Sequence, residues 1–510
     1  MTDNFQNTVQ QLFSPLSNGG KIHIESEVIL PDYCPDLLRT VKTEITPKIT
    51  SQTHYSDQNG INITIDGTAL FKILYLSDST EKLCSTFFTQ PFTHSFKLHT
   101  DDCSDLDNIF DSVSLVTDSC SCRPVSPRKA VIRGDLSVSP EIKLNRTVEY
   151  FDGNDLSCEV LKTSSCFCSM TGIGEADYTI SEKINLPVDS APCEEILDCS
   201  MRYVCDSVKT AEGKVLFTAT AYFNCLYRTE TGISSFCQPI EISQIMEVAG
   251  TESIHQADVR ISPTSLRADI DVDNYGENRV VAVDFSYFAK SVVYGNKTFS
   301  PVSDVYCPEY EFEAQYSDIS LFPYNNTIKE NIPVRASVKL KNPETVSLEN
   351  ICPAVSLRGW VIENGVLSLD GRLKVNMTAV LPAGYDGIEE NTDFSAKIPL
   401  ENPDIRKCEL GVSVKEVNCI LSGNSIEVTA EVTVSGPCFT QNQIHCVTAY
   451  NRGEKKKPCD KPPIILYYPS KEETLWDVAK KYSVPQKTLC EFNGTDASKP
   501  LDTVIKIPLV

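Results

Sequence analysis

The sequence predicts a mainly β chain: tandem antiparallel sheets or sandwiches in three units of about 150 residues, followed by a small βααβ domain. Three observations predict it. Long segments alternate apolar and polar residues with a period of two. Those segments return at a nearly constant spacing. Helical periodicity shows in one stretch near the C-terminus, EETLWDVAKKYSVPQKTLCEFNG from Glu472.

The first repeated segment is NGINITIDGTALFKILYL from Asn59, the second EGKVLFTATAYFNCLYR from Glu212, the third NGVLSLDGRLKVNMTAVL from Asn364. Their opening glycines, Gly60, Gly213 and Gly365, are 153 and 152 residues apart. In the first, Ile61, Ile63, Ile65, Ala69, Phe71, Ile73 and Tyr75 share one face and Asn62, Thr64, Asp66, Thr68 and Lys72 the other, as in a half-buried strand or hairpin. Gly67 and Gly371, each after an aspartate, predict a bulge or tight bend mid-segment. A second alternating run follows in each unit, from Lys129, Arg279 and Ser425, at spacings of 150 and 146 residues. In the last of these, Ile426, Val428, Ala430, Val432 and Val434 oppose Glu427, Thr429, Glu431 and Thr433.

The expected organisation is an N-terminal segment (1–20), β units at 21–165, 166–315 and 316–450, a basic, proline-containing linker (451–463) and the small domain (464–510). The formal charge of −23 repels phosphate backbones and anionic lipid, so nucleic acid is not an expected partner. No stretch approaches the ~20 apolar residues that span a bilayer, and the first twenty residues lack the features of a secretion signal. A cytoplasmic location is expected. Of the 21 cysteines and six histidines, none forms a Cys-x-x-Cys or a paired-histidine ligand pattern. The thiols read first as small apolar residues, with later cross-linking as the other reading. Nucleotide-binding, hydrolase and metalloprotease motifs do not occur. No enzyme, metal or cofactor is expected.

Within the first unit LPDYCPDLLRT, from Leu30, precedes the long strand; the second has LPVDSAPCEEILDC from Leu186. Leu30, Pro31, Pro35, Asp36, Leu37, Gly67, Ile73, Leu74 and Tyr75 resemble the pattern of the SPOCS domain of spore-coat-associated proteins. The second unit keeps Pro187, Pro192, Ile196, Leu197, Gly213, Leu226 and Tyr227, with Cys193 where the aspartate is expected. The third lacks the Pro-Asp start and reads Val380-Leu381 at the tyrosine position.

In the tail, Ile464–Tyr468 predicts a strand, and Thr474-Leu-Trp-Asp477 a capping box opening a helix to about Tyr482 with Leu475, Val478 and Ala479 inward. Ser483-Val-Pro-Gln486 repeats the capping logic for a second helix carrying Leu489 and Cys490 inward and stopping before Asn493-Gly494. TVIKIPLV supplies a closing strand. With Tyr467, Thr474, Leu475, Trp476, Ala479, Tyr482, Leu489, Asn493, Ile505, Ile507 and Pro508, this layout resembles the LysM module, a family best known for binding N-acetylglucosamine glycans. The resemblance implies a groove formed by Ser470, Lys471, Glu472, Glu473, Thr474 and Trp476 on one side and Thr495, Asp496, Ala497, Ser498, Lys499 and Pro500 on the other. Glu472-Glu473 stands where the family usually has Gly-Asp, removing a glycine's backbone freedom and adding a carboxylate to the groove wall. For Trp476, packing inward and standing as an exposed anchor are both open.

Together the two resemblances imply a non-enzymatic coat-assembly adaptor of the mother cell, acting at the forespore surface. Its tail would dock a coat-scaffold ATPase, and its β units would serve as spacers and self-association surfaces. The alternative is a protein anchored to peptidoglycan by its tail.

Overall fold

The computed structural model describes residues 6–15, 18–57, 60–78, 82–98, 109–153, 158–456, 464–470, 473–495 and 504–508. β1 (Gln6–Phe13) precedes the first unit, which comprises β2 (Lys21–Ile29), β3 (Leu37–Asp57), β4 (Gly60–Ser77), β5 (Leu83–Leu98), β6 (Phe110–Ser126) and β7 (Lys129–Phe151). β8 (Glu159–Lys162) leads to the second: β9 (Ser165–Asn185), β10 (Glu195–Ala211), β11 (Lys214–Thr229), β12 (Gly232–Glu247), β13 (Gln256–Asp271) and β14 (Val280–Phe299). β15 (Val302–Tyr306) and β16 (Tyr310–Leu321) lead to the third: β17 (Tyr324–Lys339), β18 (Ser347–Glu363), β19 (Val366–Leu381), β20 (Gly384–Pro399), β21 (Ile405–Cys408), β22 (Gly411–Ser422) and β23 (Ser425–Thr440). β24 (Asn442–Lys455) ends the body. The tail holds β25 (Ile464–Tyr467), α1 (Leu475–Tyr482), α2 (Gln486–Asn493) and β26 (Ile505–Pro508).

Each unit repeats one topology. A meander (β3-β4-β5, β10-β11-β12 or β18-β19-β20) faces a second sheet whose central strand is β7, β14 or β23, flanked by β6 and β2, β13 and β9, or β22 and β17. The alternation read from sequence becomes the two inner faces: Ile61, Ile63, Ile65, Phe71 and Ile73 of β4 meet Ala130, Ile132 and Leu136 of β7 in one core, and the other units build matching cores.

The glycines act differently from expectation. β4 and β19 run straight through Gly67 and Gly371; the irregularity is on the partner, between Ile49 and Ser51 of β3 and between Leu357 and Gly359 of β18. Each glycine instead lies under a cross-strand phenylalanine. A Cβ on Gly67 would stand 2.4 Å from Phe92 Cζ, and one on Gly371 2.4 Å from Phe394 Cζ.

The Leu-Pro starts become hydrogen-bonded tips. Arg128 donates to Pro31 O (2.8 Å) and to Asp36 Oδ1 (3.0 Å), and Tyr75 Oη to Pro35 O (3.1 Å). In the second unit Arg279 donates to Pro187 O (2.9 Å) and Ser190 O (2.7 Å). Leu37 N bonds Pro127 O and Cys193 N bonds Asn278 O, each carbonyl one residue before its tip arginine. Cys193 therefore occupies the place of Leu37, and Pro192 that of the aspartate. At the start of each tip, Leu30 N bonds Arg128 O and Leu186 N bonds Arg279 O; the third unit keeps this bond as Leu340 N to Asn424 O, with an asparagine in place of the arginine.

The units close into a ring: β5 packs on β10, β12 on β18 and β20 on β3. Leu74, Leu76 and Leu83 of the first meet Leu197 and Leu226 of the second, with Tyr385 of the third against them. Polar side chains join all three at the centre. Lys72 Nζ reaches Asp198 Oδ1 (3.0 Å), Asn350 Nδ2 reaches Asp198 Oδ2 (3.2 Å), and Asn224 Nδ2 reaches Asn350 Oδ1 (2.7 Å). A second junction surrounds Lys143, which is 1% exposed. Its Nζ lies 3.3 Å from Glu141 Oε1, 3.1 Å from Asp258 Oδ2 and 3.3 Å from Glu409 Oε2. Burial alone would raise the Glu409 pKa, but Lys143 and Lys407 hold it down to about 2.

Beyond this junction β1 pairs with the end of β7, β8 with β15 and β16 with β24. Phe151, Val302, Val305, Val447 and Tyr450 from the three ladders share one cluster. The expected boundary at 315–316 falls inside β16, and residues 451–455 of the expected linker belong to β24, because these strands pair across units.

Lys143→Ala leaves three half-buried carboxylates without their shared cation, though Arg260 stays on Glu141 and Lys407 on Glu409, and is expected to destabilise the body by about 2–4 kcal/mol, measured by urea unfolding. Gly371→Ala forces Phe394 off its seat and should cost about 1–3 kcal/mol in the same measurement, with Phe394→Leu in the double variant recovering part of it.

Candidate functional site: the docked C-terminal module

The tail is the βααβ module that the sequence predicts, with β25 antiparallel to β26. Thr474 caps α1: its Oγ1 accepts from Asp477 N at 3.3 Å, and Asp477 Oδ2 accepts from Thr474 N at 2.8 Å. Leu475, Val478, Ala479 and Leu489 pack against Ile505 and Ile507. The second cap departs from expectation. Ser483 sits in the left-handed region (φ 55°) as the C-cap of α1, and Pro485 precedes α2 with no side-chain capping bond. With three residues between the helices, Ser483 ends the first and is not free to open the second. Asn493 binds the module's halves together, donating to Lys506 O (2.8 Å) and accepting from Lys506 N (2.7 Å).

The module sits on the body through Asp304 and Tyr306 of β15. Trp476 is 5% exposed. Its Nε1 donates to Asp304 Oδ2 (2.7 Å), and its ring meets Tyr306 edge-on at 5.0 Å. Lys480 Nζ lies 2.6 Å from Asp304 Oδ1, which also accepts from Tyr316 Oη at 2.8 Å. Tyr306 Oη donates to Val484 O at 2.8 Å, while Lys456 Nζ donates to Cys307 O and Ser483 Oγ, each at 2.8 Å. Burial works to raise the Asp304 pKa, but the donors from Lys480, Trp476 and Tyr316 outweigh it and hold the carboxyl below its ordinary range.

Of the expected groove residues, Glu473 is committed to its own loop. It accepts from Tyr467 Oη (2.7 Å) and Ser470 N (2.9 Å), and the Ser470 N–H followed by the Tyr467 hydroxyl lowers its pKa. Thr474 is taken up by the cap, Ser470 is exposed, and Thr495 N bonds Cys490 O. Trp476 points into the body seat. Lys471, Glu472, Asp496, Ala497, Ser498, Lys499 and Pro500 lie outside the described residues. The outward face of the β25–β26 ribbon carries Ile464, Leu466 and Tyr468, and the last two are 59% and 75% exposed. Asp304 had no signal in the sequence. Arg128 and Arg279 did, standing 151 residues apart, close to the spacing of the glycines.

A cleft of about 970 Å³ separates the first two units, lined by β3, β6, β9, β13 and β14. Its charges face one another: Lys290 Nζ is 2.6 Å from Asp111 Oδ1 and 2.7 Å from Glu175 Oε1, and Asp111 Oδ2 accepts from Gln52 at 2.6 Å. These groups hold two units together. Among the described residues, no helix is long and apolar enough to cross a membrane.

Asp304→Asn is expected to loosen the module from its seat while leaving the module folded, seen as faster proteolytic release of the tail. Leu475→Ala should instead unfold the module, costing about 2–5 kcal/mol. Because the folded Asp304 pKa is depressed, its contribution to docking is complete above the unfolded value of about 3.9 and is lost as pH falls through the lower folded value. Trp476 emission in a Trp360→Phe background should therefore shift to the red in acid.

No curated protein and no solved structure matches the chain. A family model, described as SipL, SPOCS domain, matches residues 192–271. That span covers the whole β10–β12 meander and β13, one flanking strand of the second unit's other sheet, and stops before its central strand β14. Residues 192–271 of the chain are thus similar to the SPOCS domain of SipL.

Proposed function

We propose that this protein is a non-enzymatic sporulation adaptor that helps assemble or tether the spore coat, with its C-terminal module docking a protein partner. The SPOCS match supports the sporulation role. The observation that carries the docking role is the apolar outer face of the ribbon, where Ile464, Leu466 and Tyr468 stand exposed on a module whose opposite side is seated on the body. Exposed aromatic and aliphatic side chains beside an open sheet edge suit a protein surface, through apolar anchoring and added strand pairing. By resemblance the partner is the coat-scaffold ATPase, met in the mother cell at the forespore surface. The body's part is to hold the module at a constant orientation through β15.

The test is capture of the partner ATPase by the full chain from sporulating cells, compared with Leu466→Glu and Tyr468→Ala. Each variant should lose capture at least tenfold while keeping the wild-type unfolding profile. Co-pelleting of the chain with purified peptidoglycan, undiminished in these variants, would replace this reading with glycan anchoring.

A further inference from the structure

Cys408, the last residue of β21, and Cys438 of β23 are register partners directly across the antiparallel ladder. Such partners have Cα atoms ~4.5–5.5 Å apart, inside the ~4.4–6.8 Å that a disulfide spans. Both side chains are buried, and their sulfurs approach to 2.6 Å, with neither engaged in a disulfide. The two thiols differ. Their sulfurs share a hydrogen bond in which either can donate, and it lowers the Cys408 pKa and raises that of Cys438. β21 is four residues long and lies at the edge of its sheet, with a register irregularity between Ile405 and Lys407, so it can open locally and admit a small reagent. Immediately after it comes Glu409, whose N–H bonds Pro437 O and whose carboxylate serves the Lys143 junction.

We propose that Cys408 and Cys438 form a redox-modification site, oxidised to an intrachain disulfide by a low-molecular-weight disulfide such as oxidised glutathione. The Cys408 thiolate attacks one sulfur of that reagent, forming a mixed disulfide and expelling one thiolate. Cys438, after giving up its proton, attacks the Cys408 sulfur and expels the second. Two protein thiols and one small disulfide become one protein disulfide and two small thiols, and the two electrons pass to the reagent. The link encloses residues 409–437 and ties the strand preceding Glu409 to β23, so oxidation stiffens the third unit's edge of the ring.

The full chain is incubated with oxidised glutathione, alkylated, and mapped by non-reducing mass spectrometry. The expected result is a linked peptide pair containing Cys408 and Cys438 that loses two hydrogens and separates on reduction. Wild-type protein should also show a higher Tm after oxidation, reversed by dithiothreitol. Cys438→Ser should stop at a glutathione adduct on Cys408, with no rise in Tm. Full alkylation of both cysteines in the oxidised wild-type protein, or linkage of either to a different cysteine, would overturn the assignment. The wild-type measurement decides the matter even where a serine variant folds poorly.

Discussion

A buried ammonium holds the body together. Lys143 of the first unit lies among Glu141 of its own strand, Asp258 of the second unit and Glu409 of the third. Taking such a charge from water costs several kcal/mol, and carboxylates at hydrogen-bond distance offset that only when all are in place. No single unit assembles this constellation, so each depends on the others for a satisfied interior. The centre formed by Lys72, Asp198, Asn224 and Asn350 repeats the logic at the meanders. Asparagines extend it to the backbone: Asn145 exchanges two hydrogen bonds with Met170, and Asn296 two with Tyr324, each pair joining one unit to the next.

This closure gives the tail a defined seat. Strands that leave the three units converge as ladders, and β15, in one of them, presents Asp304 and Tyr306 to the module. The module is therefore carried at a set orientation, with Trp476 spent on the seat and the ribbon's apolar side chains turned outward.

The residues that carry the SPOCS resemblance have a structural explanation. Pro31, Pro35, Asp36 and Tyr75 meet at one tip, clamped by Arg128, and Arg279 rebuilds the clamp in the second unit. The pattern records how a strand enters a meander. The third unit holds its tip with the Leu340–Asn424 backbone bond and with bonds from Glu344 N and Thr345 Oγ1 to Asn342, without the arginine clamp, and its motif has faded accordingly.

Where one face of a strand meets core and the other water, the sequence was readable: Ile61, Ile63 and Ile65 of β4, Ile426 to Val434 of β23, and the helix faces of the tail all lie where their periodicity puts them. Reading stopped where a second surface covers the strand. From Ile73 to Ser77 every residue of β4 is buried, because the ring closes over it, and Lys72, assigned to a wetted face, is half-buried and ion-paired to the neighbouring unit. Trp476 shows the same divide: its helix and cap follow from Thr474 and Asp477, but its inward or outward role was settled by Asp304, 172 residues away. By itself, then, the sequence determined the strands, their threefold repetition and the βααβ tail, since alternation, capping and turn chemistry act between neighbours. Only the tertiary structure decided the ring, its buried charges and the seat of the tail, since these depend on side chains that become neighbours through folding and leave no period in the chain.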